Sequence, residues 1–186
     1  MKNFLIATLF ILPAAAFSAD SRDNLSFTPI IGLERVQKFQ PTPHMKTRAI
    51  FGARILYRLP ISTLETEYTH AQDSSSDPVN NISYKDSEDK LRIGLRGDFS
   101  MGAFLSSHLR GGAQGRKNKH TKTISGVSST TDSSSKIQPY VGTGIEVRIF
   151  QFFSLSADIL MTYTPTDEPN LKDYELQPSL GINLRF

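Results

Sequence analysis

The sequence predicts an all-β fold, an eight-stranded antiparallel up-and-down transmembrane β-barrel, and three observations lead to it. Apolar and polar residues alternate with period two along eight segments, as in strands with one apolar and one polar face. The connections between these segments alternate between short and long. The apolar faces hold almost no charge at their central positions, whereas the opposite faces hold many charged residues.

The chain opens with the features of a Sec-type signal peptide. Lys2 is followed by an apolar run from Phe4 to Leu12 and then by small residues. The run is too short to span a membrane as a helix, and Ala16 and Ser18 suit cleavage after Ser18 or Ala19. We therefore expect residues 1–19 to be a cleaved signal peptide and residues 20–186 to form the exported barrel.

The composition excludes several classes of protein. The chain has no cysteine, which excludes disulfide-stapled secreted scaffolds, thiolate metal sites and a cysteine nucleophile. The formal net charge of +3 is too small to argue for nucleic acid as a partner. Because the sequence holds no P-loop, metal-ligand cluster or nucleic-acid module, we expect no cofactor, no metal and no nucleic acid.

The first four strands show the alternation in order, and the fourth is the weakest because the residues "KDSEDK" interrupt its apolar parity. This interruption predicts either an extension beyond the membrane or a bulge. The strands, with their apolar faces, are about Leu25–Arg35 (Leu25, Phe27, Pro29, Ile31, Leu33), Thr47–Arg58 (Ala49, Phe51, Ala53, Ile55, Tyr57), Ser62–Gln72 (Leu64, Thr66, Tyr68) and Tyr84–Phe99 (Leu91, Ile93, Leu95, Gly97).

The last four strands continue the pattern, and most lengths are near the roughly 9–11 residues that a tilted strand needs to cross a bilayer. They are about Ala103–Gln114 (Leu105, Ser107, Leu109, Gly111, Ala113), Ile137–Ile149 (Ile137, Pro139, Val141, Thr143, Ile145, Val147, Ile149), Ser154–Thr164 (Leu155, Ala157, Ile159, Met161, Tyr163) and Tyr174–Phe186 (Tyr174, Leu176, Pro178, Leu180, Ile182, Leu184, Phe186).

The connections favour a membrane barrel over a soluble one. Those after strands two, four and six are short, namely "LPI", "SMG" and "FQF". Those after strands one, three, five and seven are longer and polar, and the third of them is predicted as a loop from Gly115 to Lys136. Transmembrane barrels characteristically pair short periplasmic turns with long extracellular loops.

The polar faces are predicted to line the bore. A charge on the lipid face at mid-bilayer costs roughly 2–4 kcal/mol for Arg or Lys, and the interior of eight strands is just wide enough for side chains. Glycines on the polar faces would make room for long charged neighbours, and both signs are present, as buried charges require. The predicted interior charge network is Arg54, Arg58, Glu65, Glu67, Arg92, Arg96, Arg110, Glu146, Arg148, Asp158, Glu175 and Arg185.

Two segments carry a family resemblance. The end of the chain, "YELQPSLGINLRF", resembles the C-terminal assembly signal of small outer-membrane β-barrels of the OmpA-type or OmpX-like class, and "PYVGTGIEVRIF" resembles a recurrent hairpin strand of that family. The resemblance implies a monomer in the outer membrane of a Gram-negative cell, in contact with outer-membrane lipid and lipopolysaccharide. It also implies recognition by the barrel-assembly machinery through Tyr174, Leu176, Leu180, Ile182, Leu184 and Phe186.

Three functions follow as hypotheses. The first is a structural or surface-interaction protein with a plugged interior and long extracellular loops, in which Lys117, Lys119 and Lys122 contact lipopolysaccharide phosphates. The second is a narrow pore for small solutes. The third is a lipid-modifying enzyme, a deacylase or acyltransferase, that uses Ser106 and His108. Because both residues fall on the predicted bore face, the sequence predicts that the protein is not an enzyme.

Overall fold

The computed structural model describes residues 24–38, 44–77, 82–124, 127–165 and 172–185. The predicted signal peptide and Phe186 lie outside these residues. Each strand pairs antiparallel with the next, and β1 pairs with β8 to close the barrel, so the predicted fold class is confirmed. The strands are β1 (Leu25–Lys38), β2 (His44–Arg58), β3 (Thr63–Asp77), β4 (Ile82–Ser100), β5 (Leu105–Ile124), β6 (Val127–Phe150), β7 (Phe153–Tyr163) and β8 (Tyr174–Arg185).

The barrel buries its charges and exposes its large apolar side chains, the reverse of a water-soluble protein. Arg54 and Arg92 point into the bore and are 0% exposed, whereas Ile31 and Leu180 point outward and are 67% and 62% exposed. The outward apolar residues form a belt around the barrel between the short turns and the middle of the longer strands. Within the described ranges, no helix is long and apolar enough to cross a membrane.

The prediction of a long third loop from Gly115 to Lys136 is wrong, because β5 and β6 continue through most of that segment. The two strands pair from Asn118↔Ser133 to Ile124↔Val127, beyond a register shift at Arg116/Asn118. The Ser/Thr-rich composition suggested irregular structure, but threonine is a good strand residue. Thr121 and Thr123 each hydrogen-bond a cross-strand hydroxyl, of Thr130 at 3.2 Å and Ser128 at 2.8 Å.

Strands β1 to β4 also run past their predicted ends. β1 and β2 extend to Lys38 and from His44, so the first long connection is shorter than predicted. β3 and β4 pair without interruption from Thr63↔Arg96 to Asp77↔Ile82. The "KDSEDK" segment is therefore a continuous strand above the apolar belt, and its loss of apolar parity marks the end of the belt.

Two prolines lie at the seam where β1 and β8 close the barrel. The pairing of β1 with β8 is interrupted at Pro29 and at Pro178. Pairing of the same prolines with β2 and β7 is continuous, as Pro29↔Ala53 and Ile159↔Pro178. Because proline has no N–H to donate, the seam has fewer ladder hydrogen bonds than its neighbours.

Candidate functional site

The middle of the bore is filled by a buried cluster of three arginines and three carboxylates, which we call the middle layer. Glu67 lies at its centre, since its Oε2 accepts hydrogen bonds from Arg54 Nε at 2.8 Å and Arg110 Nη1 at 2.7 Å, and its Oε1 accepts from Arg92. The charges of this layer balance. Its members, from β2, β3, β4, β5 and β7, are Arg54, Glu65, Glu67, Arg92, Arg110 and Asp158.

Three side chains outside the six add hydrogen bonds to the middle layer. Arg92 donates from Nε to Gln114 Oε1 and from Nη2 to Gln177 Oε1, both at 2.7 Å. The Nε2 of His108 lies 2.7 Å from Asp158 Oδ1. A buried charge is tolerable when it is both paired and hydrogen-bonded. Each member of the layer has an ion-pair contact with another member, although Glu65 Oε2 and Arg110 Nη2 have no hydrogen-bond partner among the described residues.

A second balanced cluster, the upper layer, lies towards the long connections. Arg48 Nε and Lys90 Nζ contact the two oxygens of Glu34 at 2.6 and 2.7 Å, and Arg116 bonds both Glu88 and Glu175. The layer lies at the upper edge of the apolar belt, where the outward neighbours change from apolar residues such as Leu33 and Leu91 to charged ones such as Asp89 and Lys117. Its members are Glu34, Arg48, Glu88, Lys90, Arg116 and Glu175.

The sequence predicted Glu175 of this layer and missed the other five residues. Burial alone would raise the pKa of Glu88, but Lys90, Arg116 and Arg48 lower that pKa to about 2. The carboxylate is therefore ionised at neutral pH. A sequence signal was available, because Glu34 and Arg48 lie on the polar parity of their strands and face each other across the β1–β2 ladder.

The short-turn mouth holds a third cluster. Arg96 donates from Nε to Asp98 Oδ1 at 2.7 Å and from Nη2 to Glu146 Oε2 at 2.8 Å, and Arg185 also bonds Glu146. Arg58 and Arg148, predicted as members of the interior network, instead lie exposed at this mouth. Alternation along a strand shows which face a residue lies on, but not how far along the barrel axis it lies. Arg58 is on the bore face but is the last residue of β2.

The predicted Ser106/His108 pair does not form a hydrolase arrangement. His108 is fully buried and faces Asp158, whereas Ser106 is half-buried in the lining of the short-turn mouth. Among the hydrogen bonds of the described residues, none joins Ser106 to His108. A nucleophilic serine needs its base within hydrogen-bond reach, so this geometry favours a structural role for the histidine.

The predicted lysine contacts are placed on strands rather than on a loop, which corrects the prediction. Lys117 and Lys119 lie on β5 with outward parity, and β4 places Lys85 on the same face. Lys122 has the opposite parity, and its Nζ lies 5.7 Å from the ring centroid of Tyr84. We call Lys85, Lys117 and Lys119 the outward lysine patch.

An acidic side chain lies at the lower edge of this patch. Asp89 pairs with Lys117 in the β4–β5 register and accepts hydrogen bonds from Tyr68 at 2.6 Å and His70 at 2.8 Å. Partial burial acts to raise the pKa of Asp89, but the bonds from His70 and Tyr68 and the charge of Lys117 lower it below its ordinary value. Asp132 of β6 also faces the patch, since it pairs with Lys119 in the β5–β6 register. Three lysines and two carboxylates leave the patch with a net charge of +1, and Asp89 is already bonded by Tyr68 and His70.

The fold is similar to solved structures of small barrels. No family model matches the sequence, and no curated protein does so. Neisserial surface protein A is 14% identical, with 90% of this chain and 100% of that one covered at a TM-score of 0.64. The attachment invasion locus protein Ail of Yersinia pestis is 17% identical (87% and 98% covered, TM-score 0.55), and the N-terminal β-barrel domain of Pseudomonas aeruginosa OprF is 16% identical (88% and 98%, 0.55).

These similarities, together with the closed antiparallel topology, define the class. The chain has the fold of the small eight-stranded outer-membrane β-barrels, and the resemblance that the sequence predicted is confirmed at the level of the fold.

Proposed function

We propose that this protein is an integral outer-membrane barrel with a closed bore, which acts as a surface-interaction protein through strands that extend beyond the membrane. One observation carries the proposal. β4, β5 and β6 are 19, 20 and 24 residues long, whereas β7 and β8 are 11 and 12. Since roughly 9–11 residues cross a bilayer, about half of each long strand stands outside it as a polar, paired sheet.

Membrane insertion is supported by the surface chemistry. A belt of exposed leucine, isoleucine, valine and phenylalanine side chains encircles the barrel. An apolar surface this large is stable only against another apolar environment, such as lipid. A closed barrel satisfies its backbone N–H and C=O groups between strands, which makes it one of the two structures able to span lipid. The outward Leu180, Ile182 and Leu184 on β8 also fit the proposed recognition by the barrel-assembly machinery.

The charge balance of the bore favours the plugged scaffold over a pore. The middle layer and the upper layer each pair three positive with three negative groups across the bore. A permeating ion would have to displace contacts of 2.6–2.8 Å between buried partners. An interior this narrow has room for side chains and little else.

We therefore expect the refolded barrel to show no steady conductance in planar lipid bilayers at neutral pH. Heat-modifiable migration on gels, measured on the same sample, should show that the protein is folded. A steady ion-conducting state in a sample that migrates as the folded form would contradict the closed bore and favour the small-solute pore.

The outward lysine patch is the proposed contact for lipopolysaccharide phosphates. Lys85, Lys117 and Lys119 lie on one face of adjacent strands just above the apolar belt, where lipid head groups would stand. An exposed ion pair contributes roughly 0.2–1 kcal/mol, so three together should contribute on the order of 1–2 kcal/mol. Their attraction should weaken with salt, since exposed charges are screened over roughly 8–10 Å.

We expect the triple substitution Lys85→Gln, Lys117→Gln and Lys119→Gln to weaken binding of purified lipopolysaccharide roughly tenfold at low salt. Isothermal titration calorimetry on the detergent-solubilised barrel would measure the change. Lys122→Gln is the matched control, because this lysine has the opposite parity and contacts Tyr84. Equal losses in the control and the triple variant would refute the assignment to the outward face.

A further inference from the structure

A cavity opens at the short-turn mouth of the barrel. Its volume is about 190 Å³, several times the roughly 30 Å³ that one water occupies in the liquid. Its charged lining comes from β2, β4, β6 and β8, so the groups approach the cavity from different sides of the mouth. These residues are Arg58, Arg96, Asp98, Glu146, Arg148 and Arg185.

In the part of the lining that the structure describes, positive charges outnumber negative ones. Asp98 is engaged by Arg96 and Thr63, and Glu146 by Arg96, Arg185 and Ser154. Among the described lining residues, four arginines against two carboxylates leave two positive charges. In the described part of the chain, Arg58 and Arg148 have no ion-pair partner.

Two buried donors of the same lining have no acceptor among the described residues. They are Arg96 Nη1 and Asn183 Nδ2, on residues that are 2% and 1% exposed. Thr28 donates a hydrogen bond to Asn183 Oδ1. This bond fixes the orientation of the amide, and its Nδ2 hydrogens remain available as donors. A buried donor without an acceptor destabilises the folded state, so an acceptor-rich ligand in the cavity would recover that loss.

We propose that this cavity is a binding site for a small tetrahedral oxyanion, a phosphate or a phosphoryl group. Arginine recognises phosphate oxygens through bidentate, charge-assisted hydrogen bonds. A tetrahedral anion offers acceptors in several directions, which suits donors from four strands better than a planar carboxylate does. The two unpaired arginines supply the charge, and Arg96 and Asn183 supply the buried donors.

The test uses inorganic phosphate and the full refolded barrel in a zwitterionic detergent. We expect saturable phosphate binding in calorimetry that weakens at least tenfold in the double variant Arg58→Gln, Arg148→Gln. Arg35→Gln is the matched control, since this exposed arginine lies on the outer face of β1 near the other end of the barrel. The double variant should remain folded on heat-modifiability gels, because neither arginine takes part in a described ion pair.

Phosphate binding by the parent protein and the two variants tests the site. Loss of phosphate binding in the double variant, with retention in Arg35→Gln, supports the site. The absence of saturable binding at millimolar phosphate, or equal binding in all three proteins, overturns it. If soluble glycerol 3-phosphate competes with phosphate for the site, the ligand is a free phosphate compound. If only vesicles that contain phosphatidylglycerol compete, the ligand is a lipid head group.

Discussion

Leu180→Arg is expected to prevent most of the barrel from inserting into lipid vesicles. Leu180 lies near the middle of β8, faces outward and is 62% exposed. An arginine at this depth would contact hydrocarbon, at a cost of roughly 2–4 kcal/mol for the lipid face of a barrel. That cost is a large part of the 5–15 kcal/mol by which ordinary folded domains are stable.

The folded fraction can be measured by heat-modifiable migration after refolding into vesicles, as a function of urea. Gln72→Arg is the matched control, because Gln72 also faces outward and is exposed but lies on the part of β3 above the apolar belt. We expect this variant to refold like the parent protein. If Leu180→Arg refolds as well as Gln72→Arg, the outer face of β8 does not contact lipid.

The sequence was sufficient to predict the barrel because each membrane-crossing strand separates two different environments. Lipid on one side and a packed polar bore on the other impose strict alternation, which is visible in segments such as Leu25–Leu33 and Tyr174–Phe186. The same reasoning explains the failure at β5 and β6. Beyond the upper layer both faces of these strands are partly or fully exposed, so Thr121, Thr123 and Thr130 show no apolar parity although they lie in paired strands.

The interior could be predicted as a list of residues but not as a set of contacts. Parity assigned Arg54, Glu67 and Asp158 to one face, yet Arg54 and Asp158 are 104 positions apart in the chain when they meet at 3.3 Å. Long side chains select partners across the bore according to strand tilt and relative depth, which local alternation does not encode. Position along the barrel axis also explains why Arg58 and Arg148 lie at the mouth, outside the network.

Glu67→Gln should be the most destabilising of the conservative substitutions in the bore. Glu67 is 0% exposed and contacts Arg54, Arg92 and Arg110. Its neutralisation leaves three arginines facing two carboxylates in a space without solvent. Removing one partner of a buried ion pair typically costs about 3–5 kcal/mol, because the remaining charge is left without compensation.

The unfolding midpoint in urea, followed by gel migration in lipid, would measure this loss. Asp132→Asn serves as the control, since it removes one carboxylate from an exposed position on β6 and should change stability by less than about 0.5 kcal/mol. Adding Arg110→Gln to Glu67→Gln should restore part of the stability, because the double change returns the middle layer to balance. If Glu67→Gln and Asp132→Asn have the same midpoint, the buried charges do not depend on one another and the plug is not an ion-pair network.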